Sequence, residues 1–110
     1  MKTIGIIASG RVEAFTFLKY ISKKKKLKLG EFDVYYFKLN DYEIFLVICD
    51  KNVASARLAT SLLVKKISPL LIVSFGIAGA IEEDIRVGDI VCGNSTTIIE
   101  NGVFEQYIAL

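Results

Sequence analysis

Histidine and tryptophan are absent from this chain of 110 residues, and proline occurs once, at Pro69. Without an imidazole there is no Ser-His-Asp triad and no base to activate a thiol, and the commonest zinc ligand is missing. Cysteine is scarce as well. Cys49 and Cys92 sit in strand-like contexts with no metal-ligand spacing, so they read as reduced, packed thiols of a cytoplasmic protein. No metal and no cofactor is expected. An excess of one charge is lacking too: the net charge is only +2, and no aromatic interrupts Lys23-Lys24-Lys25-Lys26 to stack a base. That argues against nucleic acid or a membrane surface as partner. Long apolar runs are missing. The longest, Leu70 to Ile81, is broken by Ser74, Gly76 and Gly79 and falls short of the roughly 20 residues of a membrane span. The opening apolar run is too short for an export signal.

What remains is enough for a core. Hydrophobic residues make up 53% and charged residues 24%, which suits one folded domain over residues 1–110. The stretch from Ser68 to Val91 looks central to it. Leu70-Leu71-Ile72-Val73 predicts a strand buried on both faces, and Gly76-Ile77-Ala78-Gly79 follows it. Glycines there are either plain tight turns or a place where a ligand meets bare backbone. Spacing excludes a dinucleotide fingerprint or a P-loop. Glu82-Glu83-Asp84 reads as a turn, and Val87-Gly88-Asp89-Ile90-Val91 as a turn leading into a further strand.

In chain order, strand and helix alternate. Lys2 to Ala8 reads as a first strand, Ser9 as an N-cap, and Val12, Phe15, Leu18 and Ile21 as the buried stripe of a helix. The lysine run would close that helix as a solvated tail suited to its dipole, with Gly30 stopping it. Glu31 to Leu39 and Glu43 to Asp50 predict a hairpin about Asn40-Asp41-Tyr42. Asp50 or Asn52 caps a second helix with Val53, Ala56, Ala59, Leu63 and Ile67 inward. Asn94 to Ile99 extends as a strand before a turn at Glu100-Asn101-Gly102. The fold class is α/β: a three-layer α/β/α arrangement with a mixed sheet.

Three pieces carry a resemblance: K-x-I-G-I-I at the start, N-V-A-S-A-R-L-A-T-S-L-L, and the block from Ser68 to Val91. Together they resemble the purine nucleoside phosphorylase/nucleosidase superfamily, nearest its 5′-methylthioadenosine/S-adenosylhomocysteine nucleosidase branch. The likeness runs from about Lys2 to Val91 and covers the first part of the family's domain. It implies that Glu13 is the catalytic carboxylate orienting the attacking water, where phosphorylases supply an arginine for phosphate. On residue chemistry alone, Glu13 reads equally as a first-turn glutamate complementing the helix dipole. The resemblance also implies that Gly76, Ile77, Ala78 and Gly79 lie along ribose and base, while Gly88 and Asp89 form a structural turn.

There are departures. The family's glycine-containing turn beside the ribose reads Cys49-Asp50-Lys51-Asn52 here, and the usual acidic run shrinks to Arg11-Val12-Glu13. The family's Met-Glu segment and its purine-protonating aspartate belong to the later half and have no counterpart here. The resemblance therefore implies purine nucleoside hydrolysis with this chain alone inactive, or else a non-catalytic purine-nucleoside-binding or assembly module. A homo-oligomer is expected, because an uncovered sheet edge invites a second copy. A flavodoxin-like or response-regulator-like domain is disfavoured, since no acidic cluster closes the first strand.

Overall fold

The computed structural model describes residues 2–100 and 102–108. They fall into two compact units, Met1–Ala78 and Gly79–Leu110. The first unit holds a five-stranded sheet built from β1 (Lys2–Ser9), β2 (Lys25–Leu29), β3 (Phe32–Leu39), β4 (Tyr42–Cys49) and β5 (Leu71–Phe75), in the order β2-β3-β4-β1-β5. β1 runs parallel to both β4 and β5, whereas β2, β3 and β4 are antiparallel in sequence. The sheet is therefore mixed, as expected.

One helix covers each face, which makes three layers. Helix α2 (Val53–Lys66) lays Ala59 and Leu63 on Ile7, Leu29, Phe32, Val34, Val47 and Cys49. Helix α1 (Arg11–Leu18) lays Ala14 and Leu18 on Ala8, Phe37, Ile44, Leu46 and Ile48. Alternate residues of β4 feed the two clusters, which is why Ile44 to Ile48 reads as an unbroken apolar run. Gly5 in β1 is a packing glycine. A Cβ there would sit 3.0 Å from Leu63 Cδ1, so its absence lets α2 approach the sheet.

Asn52 caps α2, its side chain accepting from the Ser55 amide at 2.7 Å. Val53 does not join the buried stripe; it is exposed in the first helical turn. Ser9 does not cap α1 either. Gly10 is the N-cap with φ of 130°, and the Ser9 hydroxyl lies against Cys49 Sγ at the end of β1. The inward face of α1 is accordingly Ala14 and Leu18, with Phe17 and Ile21 partly buried beside them, while Val12 points to solvent.

The lysine run is not a helix tail. α1 stops at Leu18, and Lys25-Lys26-Leu27-Lys28-Leu29 pairs antiparallel with β3 as an edge strand. Gly30 is therefore a hairpin residue: its φ is 61°, and a Cβ would come within 2.9 Å of Leu62 Cδ1. Leu29 facing Phe32 outweighs helix propensity here, because the strand satisfies its backbone on β3 and buries Leu29. The hairpin between β3 and β4 turns at Asn40-Asp41, with Asn40 at φ of 54°.

β5 differs from expectation in burial. Among the described residues it pairs only with β1, so it is an edge strand with Leu71, Val73 and Phe75 exposed. In the second unit, Glu82 accepts from the Ile85 amide in a turn. Gly88, at φ of 93°, and Asp89 close another turn, in which the Arg86 amide donates to Asp89 Oδ2 at 2.8 Å and the Asp89 amide to the Arg86 carbonyl at 3.0 Å. No strand starts at Asp89. The next ones are β6 (Ser95–Glu100) and β7 (Val103–Ile108), an antiparallel pair. Their connection passes through Gly102 at φ of 77°, and Asn101 of the expected turn lies outside the described residues.

Candidate functional site

Parallel pairing brings three chain ends together. Ser9 of β1 faces Cys49 of β4, and Ala8 faces Phe75 of β5, so the segments leaving all three strands emerge at one end of the sheet. The carboxyl ends of parallel strands are where open α/β sheets form crevices. Here they border an open crevice of about 380 Å³ lined by Ser9, Glu13, Lys51, Ser74, Phe75, Gly76 and Ile77. That volume lies within the usual range for a small-molecule site.

Among the described residues, Glu13 is the only acid on its wall. It sits in the first turn of α1, and its side chain is only 8% exposed. Lys51 Nζ donates to Glu13 Oε1 at 3.2 Å, whereas Oε2 is buried and makes no hydrogen bond. The Glu13 carboxyl is held below its ordinary value, first by the backbone amide of its own residue and then by Lys51, against the opposing effect of burial. Gly10 makes room for the pair: a Cβ there would lie 2.6 Å from Oε2 and 2.9 Å from Lys51 Cε.

The departing turn places its four side chains differently. Cys49 is buried in β4, the Asp50 amide donates to Ser55 Oγ at 2.9 Å, and Asn52 caps α2. Lys51 alone of the four enters the cavity wall. Of the glycine segment, Gly76 and Ile77 line the cavity, Ala78 is exposed, and Gly79 opens the second unit together with Gly88 and Asp89. Ser9, Lys51, Ser74 and Phe75 line the wall although residue type gave no reason to select them. The signal that would have found them is positional: each ends or follows a parallel strand. Among the described residues, no three His, Cys, Asp or Glu side chains are grouped to hold a metal ion. No helix among them is long and apolar enough to cross a membrane.

A family model described as Phosphorylase superfamily matches residues 3–107. The chain belongs to the phosphorylase superfamily. Within that superfamily it is similar to the 5′-methylthioadenosine/S-adenosylhomocysteine nucleosidase of Maridesulfovibrio salexigens, 31% identical over 88 residues, which are 80% of this chain and 38% of that protein. The Staphylococcus haemolyticus enzyme of the same name is 30% identical over 91 residues, 83% of this chain and 40% of the relative. The fold matches the crystal structure of the Neisseria meningitidis nucleosidase in complex with methylthio-immucillin-A. The TM-score is 0.78 at 23% identity, covering 88% of this chain and 42% of that one. The chain thus spans about two fifths of the length of these superfamily relatives.

Proposed function

We propose that this chain forms the first part of a nucleosidase-like site for a purine nucleoside, with the sugar in the cavity beside Glu13 and the backbone of Gly76 and Ile77 along the ligand. One observation carries the reading: a nearly buried carboxylate on a cavity wall keeps one oxygen without a partner. A buried, unpaired acceptor is costly unless something donates to it, and a sugar hydroxyl or a held water would do so. The names of the relatives favour hydrolysis. Glu13 alone is weaker support for it, because Lys51 at 3.2 Å offsets the charge that would repel phosphate.

Cleavage of the N-ribosidic bond leaves negative charge on the departing purine, which an acid must relieve. Loss of such an acid lowers rates by about 10²–10⁴-fold. Among the described residues Glu13 is the only titratable acid lining this cavity, and it is held ionised. The chain by itself therefore binds nucleoside and hydrolyses it slowly or not at all. Calorimetry with 5′-methylthioadenosine, alongside chromatography for released adenine, tests both statements. Binding without adenine release is expected, and Glu13→Gln weakens it by about tenfold or more. Turnover at an ordinary enzymatic rate, or affinity indifferent to Glu13→Gln, sinks the reading.

Self-association through β5 accompanies this proposal. Its outer backbone edge is unpaired among the described residues, and Leu71, Val73 and Phe75 are exposed along it with no charged residue. A second copy offering the same edge satisfies its backbone groups.

A further inference from the structure

We propose that Lys51 is a positioning residue for Glu13: its ammonium takes Oε1 and fixes the ionised carboxylate over Gly10 at the cavity wall. The inference rests on the nucleoside reading of the cavity and adds a role for a residue from the turn between β4 and α2. Lys51 and Glu13 are 38 positions apart and meet only because Ser9 and Cys49 are register partners. The two side chains are buried unequally. Lys51 is 67% exposed and Glu13 only 8%, so it is the acid that needs the contact.

Among the described residues no other cation lines the cavity. Arg11, on the same helix, is turned away to Asp33 at 3.2 Å, and β1 and β5 present only Ser9, Ser74 and Phe75 to the cavity. Gly10 is a second constraint, since both Glu13 Oε2 and Lys51 Cε lie closer to its missing side chain than any real neighbour would tolerate. The pair is thus seated on bare backbone. Without Lys51, the carboxylate loses its counter-charge in a desolvated place and holds a proton more readily, and it is freed to rotate. Protonated, Glu13 is a poorer acceptor for a hydroxyl.

The test combines two readouts. Carboxyl-carbon NMR titration of Glu13 in the free protein compares wild type, Lys51→Met and Lys51→Arg. Calorimetry with 5′-methylthioadenosine near neutral pH follows the same three. Lys51→Met is expected to move the Glu13 midpoint upward and weaken binding about tenfold, with Lys51→Arg within about threefold of wild type. Lys51 is exposed, so an unchanged amide spectrum identifies folded variants. An unmoved midpoint in folded Lys51→Met overturns the assignment whatever the affinity. A moved midpoint in a protein that binds no nucleoside supports the Lys51–Glu13 coupling and overturns the nucleoside reading instead.

Discussion

Two carboxylates in the first unit are nearly buried, each with one oxygen that accepts no hydrogen bond, and they differ in the cations around them. Glu13 has one, Lys51. Asp33, its side chain 8% exposed, is clasped by Lys28 at 2.7 Å, Arg11 at 3.2 Å and Lys26 at 4.0 Å, which ties β2, β3 and the start of α1 together. The Lys28 contact is the main cause holding the Asp33 carboxyl below its ordinary 3.8, with Arg11 adding to it against burial. A carboxyl with a lowered folded pKa contributes stability above its unfolded value and loses it as pH falls through the folded one. Asp33→Asn should therefore destabilise the protein at neutral pH, and the deficit should shrink well below pH 3.8. Urea unfolding midpoints of both proteins at the two pH values check this. A deficit that stays constant with pH would assign Asp33 a role in packing rather than charge.

At the scale of elements, Leu63 is the joint between α2 and the sheet. It is fully buried and meets Gly5 at the closest approach of helix to strand. Leu63→Ala should cost about 2–5 kcal/mol. Gly5→Ala, which adds a methyl where 3.0 Å is available, should cost about 1–3 kcal/mol by overpacking. Chemical denaturation measures both. If Gly5→Ala were neutral, α2 would be free to shift from its seat. The inward face of α2 was legible in the sequence because its burial follows a period of 3.6, and β4 because an unbroken apolar run fits a strand covered on both faces. β2 was not. Lys25-Lys26-Leu27-Lys28-Leu29 continues a charged run out of a helix, and only pairing with a later segment makes it a strand. The Glu13–Lys51 contact escaped for the same reason, because it depends on which strands are neighbours. Glu13 itself was reached through resemblance, and Ser9, Ser74 and Phe75 carried no chemical signal.

For the molecule as a whole, the proposed self-association predicts a concentration-dependent mass in light scattering. Substituting lysine for Val73, which is 40% exposed on β5, should shift the protein toward monomer. A monodisperse wild-type monomer at moderate concentration would remove β5 as an interface.

The two margins of the five-stranded sheet are unlike. Along β2 run Lys25, Lys26 and Lys28, while β5 reads Leu71-Ile72-Val73-Ser74-Phe75. Within this sheet, joining two molecules along β5 leaves β2 as the remaining margin of each, and its cationic fringe disfavours adding a third molecule there.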